Sequence, residues 1–221
     1  MKERPIIFNS DMVRAILSGR KTQTRRPVRG FVSDVIQDTD MVDGRLVSLG
    51  FEGDDGEWHE TWEACPIALP GDLLYVRETT IITPKNWGDS WFCNAKDDDG
   101  DGRIVQYLAT FPNMDGALQY GLKCTPSIHM PKWAARIWLR ITAVGVERVQ
   151  DITEDGARAE GIIDGGCLSC GNNEPCGCSN PRPDARDAFC WLWGSIYGDK
   201  YPWYSNPWVW VIKFERVEAI K

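Results

Sequence analysis

Two segments in which apolar and polar residues alternate constrain the fold of this chain more than any other feature. Residues 135–150 read ARIWLRITAVGVERVQ, and residues 207–220 read PWVWVIKFERVEAI. Because successive side chains of a strand point to opposite faces of a sheet, this alternation predicts strands. We expect the first segment to form a central pair of strands and the second to form a closing strand.

Shorter patterns add further strands and three short helices. Strands are expected within residues 4–8 and 69–80, and the acidic, glycine-containing residues 37–63 have the pattern of a hairpin. Apolar residues recur at helical spacing in three further ranges. These ranges are 10–19, 152–162 and 185–198. Strands therefore dominate, and the sequence predicts an α+β domain.

The ends of these helices carry their own signals. Ser10 and Thr153 are expected N-caps, because a short hydroxyl side chain can accept a hydrogen bond from the first turn. Gly19 is expected to end the first helix in a left-handed conformation, and Gly198 is expected to end the third helix.

Composition limits the classes of partner. The chain has 221 residues and a net charge of −7, which disfavours tight nonspecific binding of long nucleic acid. It contains no apolar run of about 18 residues, so no membrane span is expected. The first residues, MKERPIIFNS, lack the apolar core of a signal peptide, and we expect a cytoplasmic protein with no organic cofactor.

Half of the eight cysteines lie close together in the segment GGCLSCGNNEPCGCSNP. Four thiolates on Gly, Asn and Pro turns suit tetrahedral zinc, and four protein ligands would make the site structural. Free thiols and an iron–sulfur cluster are the alternatives. The cysteines concerned are Cys167, Cys170, Cys176 and Cys178.

The other cysteines and both histidines lack a partner at metal-binding or catalytic spacing. Cys65, Cys93, Cys124 and Cys190 are isolated in the sequence and are expected to pack in the interior. His59 and His129 are expected to be surface or packing residues.

The most basic segment is LSGRKTQTRRPVRG, residues 17–30, which contains no acid. Neighbouring cations disfavour a charged ammonium, so the pKa of Lys21 should fall, as a general base requires. A threonine hydroxyl becomes a nucleophile when a base removes its proton, and Thr24 lies three residues further on. From spacing alone, the segment is either such a pair or an exposed basic strand.

This segment resembles a known family signature. Gly19, Lys21, Thr24 and Arg26 match the pattern G-x-K-x-x-E-x-R of ASCH domains, with Thr24 at the position of Glu. ASCH domains are small barrels of the PUA-like group and are associated with RNA. The segment ILSGRKTQTRR is similar to that of bacterial ASCH amidohydrolases acting on N4-acetylcytidine, and the chain as a whole resembles ASCH-like proteins of phages and prophages.

The resemblance implies a fold and a domain organisation. It implies a PUA-like β-barrel with short flanking helices, as a single domain over residues 1–221. Because compact members of the family are much shorter, residues 30–66, 80–130 and 163–184 are expected to be insertions, the last carrying the cysteine cluster.

The resemblance also implies an activity: removal of an acyl group from the exocyclic amine of a modified cytidine. Thr24 would be the nucleophile, Lys21 its activating base, and Glu160 in ITEDGARAEGI would manage the proton of the departing amine. The residues expected to bind substrate are Arg20, Arg25, Arg26, Arg77 and Glu78.

Two alternatives stay open at this point. The chain can be a non-catalytic RNA- or nucleotide-binding module, in which Arg20, Lys21, Arg25 and Arg26 contact phosphates. It can also be a ribonuclease, an activity linked with some ASCH-like proteins. In each case the expected partner is a modified nucleoside or a short single-stranded RNA.

Several other residues have two interpretations. Arg77 and Glu78, in LLYVRETT, either line a pocket at a strand end or form an ordinary ion pair. Most of the eleven tryptophans are expected in the core, whereas Trp133 or Trp203, in proline-flanked loops, is a candidate for stacking a base.

Overall fold

The fold is a mixture of α-helices and β-sheets. The computed structural model describes residues 1–28, 38–42, 45–52, 58–61, 65–84, 96–97, 103–111, 121–163 and 185–218. Within them lie the helices α1 (Ser10–Leu17), α2 (Glu154–Ala159) and α3 (Ala185–Tyr197). The strands are β1 (Glu3–Ile7), β2 (Gln23–Pro27), β3 (Asp38–Val42), β4 (Arg45–Glu52), β5 (Trp58–Thr61), β6 (Leu73–Arg77), β7 (Thr80–Ile82), β8 (Lys96–Asp97), β9 (Ile104–Tyr107), β10 (Cys124–Thr125), β11 (Trp138–Arg148) and β12 (Trp208–Val217).

The chain divides into two compact units, each assembled from separate segments. The first unit comprises Met1–Ser18, Leu73–Arg140 and Arg216–Lys221. The second unit comprises Gly19–Asp72 and Ile141–Glu215. The expectation of a single domain with insertions stays a prediction.

In the first unit, β1 pairs with β6 in parallel, and β6 pairs with the first residues of β11 in antiparallel register. A second sheet has the order β10-β7-β9-β8. The core of this unit is built from buried side chains around β9 and the turns before β11. These are Val105, Tyr107, Met130, Ala134 and Ala135.

In the second unit, β12 lies between β11 and β2. Strand β2 pairs with β12 in antiparallel register, with Thr24 opposite Ile212 and Arg25 opposite Val211. Strands β3, β4 and β5 form a separate antiparallel sheet. The core lies between α2, α3 and one face of β12. It contains Val149, Ile152, Ala157, Ala185, Phe189, Trp193, Val209 and Val211.

The three helices lie where the sequence predicts them, with one difference at a cap. Asn9 caps α1, because its extended backbone lets its side chain accept from the Met12 N–H at 2.9 Å; Ser10 is the first helical residue. Thr153 caps α2 as expected, accepting from the Gly156 N–H at 3.0 Å. Gly19 has φ of 76°, which confirms the left-handed turn after α1.

The sheets differ from the sequence-based expectation at β11. Residues 138–148 form one continuous strand of 11 residues and not a pair of strands, with β6 and β12 as its neighbours in the strand order. The sheets formed by the described residues are open in their strand order, and none closes into a barrel.

Candidate functional site

The candidate site begins where the chain enters β2. The Thr22 N–H donates to the Ala159 carbonyl, and the Thr22 carbonyl accepts from the Phe214 N–H, each at 2.9 Å. These bonds tie the residues before β2 to the end of α2 on one side and to β12 on the other. Lys21 is thereby placed beside Glu160, the C-cap residue of α2.

Lys21 and Glu160 form a buried ion pair. Lys21 Nζ lies 2.7 Å from Glu160 Oε2 and donates a second hydrogen bond, of 2.9 Å, to the Glu160 backbone carbonyl. The side chain of Lys21 is 0% exposed and that of Glu160 is 3% exposed. The resemblance to ASCH amidohydrolases implied that these residues meet, and they are in direct contact.

The surroundings of Lys21 tune its proton affinity. Burial lowers the pKa of Lys21 below its ordinary value of 10.5, because the desolvated ammonium is disfavoured. The Glu160 carboxylate opposes this shift, whereas Arg26 and Arg25 lower the pKa further. The amine therefore releases its proton at a lower pH than a solvated lysine does.

Arg25 extends the pair into a network of four charged groups. Its Nη1 donates to Glu160 Oε1 at 3.0 Å, and its Nε donates to Glu147 Oε1 at 2.7 Å. Arg25 is thus buried between two glutamates, although the sequence suggested that it binds substrate. Lys21 and Arg25 balance Glu160 and Glu147, so the network is neutral when all four groups are ionised.

Thr24 is buried but takes no part in this network. Adjacent residues of a strand direct their side chains to opposite faces, and Arg25, the neighbour of Thr24, is the residue that reaches Glu160. Among the described residues, no hydrogen bond joins the Thr24 hydroxyl to Lys21 or Glu160. The structure therefore brings together the amine and the acid of the expected catalytic set, but not the alcohol.

The remaining polar residues of the basic segment have separate partners. Gln23 Nε2 donates to the Gly156 carbonyl at 3.0 Å, which ties β2 to α2. Arg26 is half-buried and donates to the Tyr197 hydroxyl at 2.7 Å. Arg20 is exposed, and its Nη1 donates to the Gly161 carbonyl at 3.1 Å.

Arg77 and Glu78 belong to the first unit, whereas Lys21 and Glu160 belong to the second. Arg77 Nε donates to the Met130 carbonyl at 2.8 Å. Glu78 is buried and accepts two hydrogen bonds from Arg136, of 2.8 and 2.9 Å. Glu78 therefore forms its ion pair with Arg136, a partner that the sequence did not identify, and not the expected pair with Arg77.

Both aromatic candidates for base stacking are partly buried and pack against hydrophobic cores. Trp133 packs against the first core and is covered by the Arg103 guanidinium, 4.2 Å from the ring centroid. Trp203 packs against the second core and meets Phe189 edge-on at 6.2 Å.

The cysteine cluster at residues 167–178 lies outside the described residues, as do Cys93 and the side chain of His59. Among the described residues, Cys65 is buried, Cys124 and Cys190 are half-buried, and His129 is exposed. No group of three or more His, Cys, Asp or Glu within the described part of the chain could hold a metal ion.

One surface hollow of about 500 Å³ lies near the N-termini of α2 and α3. It is lined by residues 150–154 and by Arg186, so it includes neither Lys21 nor Glu160.

Glu147, which anchors Arg25, was not among the residues predicted from the sequence. The available signal was weak: Glu147 is the first acid in β11, after a largely apolar stretch. None of the helices described in the structure is long and apolar enough to cross a membrane. Comparison of the chain with protein-family models, curated proteins and solved structures finds no match.

Proposed function

We propose that this chain is an ASCH-type, PUA-like hydrolase that removes an acyl group from the exocyclic amine of a modified cytidine or a related base. The observation that carries the proposal is the buried contact between Lys21 and Glu160, which are 139 positions apart in the sequence. These are the two residues to which the ASCH resemblance assigns proton transfer.

Hydrolysis of such an amide needs a base for the nucleophile and an acid for the departing amine. Lys21 Nζ, with its lowered pKa, accepts the proton of the attacking hydroxyl. The new bond joins the hydroxyl oxygen to the acyl carbon, and the bond from that carbon to the base amine breaks. Glu160, 2.7 Å from Lys21, passes the proton to the amine, so that free cytidine leaves.

The identity of the attacking hydroxyl separates two mechanisms. If Thr24 attacks, the acyl group is transferred to Thr24 and then released by water. If water attacks directly, the Thr24 hydroxyl is dispensable. The second mechanism agrees with the position of Thr24 beside Arg25, on the strand face opposite the one that reaches Glu160.

The test is release of cytidine from N4-acetylcytidine, measured for the wild type and for three variants. We expect Lys21→Met and Glu160→Gln to lower kcat by about 10²- to 10⁴-fold, the range for loss of a general acid or base. Thr24→Val removes the hydroxyl at nearly constant shape: a similar loss identifies Thr24 as the nucleophile, and full activity identifies water.

Arg14→Gln is the matched control, because it removes an exposed charge from α1 in the other unit. Its activity should equal that of the wild type, and thermal unfolding should confirm that every variant is folded. A folded wild type that releases no cytidine from acylated cytidine or from related acylated bases contradicts the proposal.

A non-catalytic module that binds RNA or nucleotides is the second candidate. It is favoured by the enclosure of the Lys21–Glu160 pair, whose side chains are 0% and 3% exposed, while Arg20 is exposed and Arg26 is half-buried. In that case Arg20→Gln and Arg26→Gln weaken binding of a short RNA and reduce its salt dependence, and Thr24→Val changes nothing.

A further inference from the structure

Arg25 has three properties that an arginine binding phosphate at the protein surface does not need. Its side chain is 4% exposed, it is paired with two different carboxylates, and both carboxylates come from distant parts of the sequence. A guanidinium in this position is not accessible to a ligand in solvent. The function of Arg25 therefore concerns the residues that it contacts.

The residue that Arg25 touches at the site is Glu160. The two oxygens of this carboxylate are bound separately: Oε1 accepts from Arg25 Nη1 at 3.0 Å, and Oε2 accepts from Lys21 Nζ at 2.7 Å. Two donors on two oxygens fix the rotation of the carboxylate as well as its position. Without Arg25, the bond to Lys21 is the hydrogen bond that still restrains the Glu160 carboxylate within the described part of the chain.

The guanidinium is itself held by groups on three elements. Its Nε donates to Glu147 on β11 at 2.7 Å, and its Cζ lies 5.8 Å from the centroid of the Phe189 ring on α3. On α2, Gly156 leaves room for it, because a Cβ at that position would lie 3.2 Å from Arg25 Nη2. The planar fork of arginine can reach two acids in fixed directions, whereas the single ammonium of a lysine cannot do so in this geometry.

We propose that Arg25 is a positioning residue that holds the Glu160 carboxylate against Lys21, with Glu147 as its anchor. The kinetic part of this inference depends on the proposed hydrolysis, but the coupling between the four groups does not. Among the described residues, the charged groups that interact with Lys21 include Glu160, Arg25 and Arg26. Those that interact with Arg25 include Glu160, Glu147 and Lys21.

The first experiment titrates Lys21 Nζ by NMR in the full chain, with the signal assigned by its absence from Lys21→Met. If Arg25 holds Glu160 against Lys21, Arg25→Gln frees the carboxylate, whose effect on the pKa of Lys21 is larger than that of Arg25 itself, so the titration midpoint of Lys21 should fall. Glu147→Gln removes an anion and the anchor of Arg25, so it should also lower the midpoint, by less because Glu147 is 30% exposed.

Arg148→Lys is the matched control. Arg148 is another arginine of the second unit; it is half-buried, donates to the Asn206 carbonyl and stacks on Trp208. Its replacement should leave the Lys21 midpoint unchanged. If Arg25→Gln does not fold, Glu147→Gln still provides the test, because the Glu147 side chain is partly in solvent. An unchanged or raised midpoint in the folded variants overturns the inference.

The second experiment applies if the wild type hydrolyses acylated cytidine. A positioning role predicts that Arg25→Gln lowers kcat by about ten-fold or more while KM stays nearly constant, and that Arg25→Lys restores only part of the loss. A rise in KM at constant kcat would show that Arg25 contacts substrate, and would overturn the inference. If the wild type has no activity, the proposed function fails, and the titration alone tests Arg25.

Discussion

At the scale of single residues, burial and the Glu160 carboxylate have opposite effects on the pKa of Lys21. Burial disfavours its ammonium, and the Glu160 carboxylate at 2.7 Å favours it; burial is the larger of the two, so the pKa of Lys21 is lowered. The pair is nevertheless costly to break, because removal of either partner leaves an uncompensated buried charge. Losses of about 3–5 kcal/mol are typical for such a change.

The lowered pKa of Lys21 predicts a pH dependence of stability. In the unfolded chain Lys21 titrates near 10.5, and in the folded chain it titrates lower. Between the two values the unfolded state binds more protons, so the contribution of Lys21 to the free energy of unfolding increases as pH rises through this window. Below the folded pKa both states are protonated, and the contribution is constant.

Urea unfolding of the wild type and of Lys21→Met over a pH series up to about 10 would measure this contribution as a difference between the two curves. The difference should grow in favour of the wild type toward alkaline pH. Lys213→Met, which removes an exposed lysine of β12, controls for the loss of a lysine outside the buried pair. A difference that shrinks with rising pH contradicts the prediction.

The sequence pointed to Lys21 and Glu160 through the motif and its resemblance, but not to Glu147. An ion pair such as that of Arg25 with Glu147 joins residues 122 positions apart, and no local pattern encodes it. The burial of Arg25 follows from the packing of α2 and α3 against β12, which the spacing of basic residues within β2 does not express. The spacing of the basic residues alone therefore suggested exposed side chains that bind phosphate.

At the scale of elements, α2 supplies the cap for α3. Glu154, the first residue of α2, accepts from the Ala185 N–H at 3.0 Å and from the Arg186 N–H at 3.2 Å. These N–H groups open α3 and have no partner within the helix. The carboxylate satisfies them and also lies at the positive end of the helix dipole.

Glu154→Ala is therefore expected to lower the free energy of unfolding by about 0.5–2 kcal/mol, the range for loss of an N-cap. Asp155→Ala is the matched control, since the neighbouring Asp155 side chain is 98% exposed and pairs with Arg158 within the same helix. Chemical denaturation followed by circular dichroism would compare the two. Equal stability of both variants would show that the capping contact contributes nothing.

Strands in which apolar and polar residues alternate were predictable from the sequence. Whether such a segment forms one continuous strand was not. Alternation correctly indicated β12 and the range of β11, because apolar residues on one face must be buried whichever strands are neighbours. It did not show that β11 is a single strand, since Gly145 near its middle weakens the pattern.

At the scale of the whole molecule, the two compact units could not be read from the order of elements. The first unit collects residues from the start, the middle and the end of the sequence, and the second takes the two stretches between them. Such interleaving is decided by which strands pair, and pairing depends on packing over long separations. The charge pattern of residues 17–30 gives no information about which strands pair.

The cysteine-rich segment is expected to bind a structural zinc ion. Cys167, Cys170, Cys176 and Cys178 supply four thiolates within twelve positions, a set that closes a tetrahedral coordination sphere. We expect protein purified under reducing conditions to carry about one zinc ion per chain by elemental analysis. Because thiols must lose their protons to bind zinc, acidification should reprotonate them, release the metal and leave thiols that react with a thiol reagent.

Two variants make the zinc prediction specific. Cys167→Ser removes one of the four thiolates and should abolish stoichiometric zinc, whereas Cys124→Ser, a half-buried cysteine outside the cluster, should retain it. Loss of zinc should also lower the melting temperature of the wild type to that of Cys167→Ser, since metal binding contributes to folding stability. A reduced wild type that stays free of zinc after incubation with excess Zn²⁺ would instead identify the cluster as free thiols, and iron with acid-labile sulfide would identify an iron–sulfur cluster.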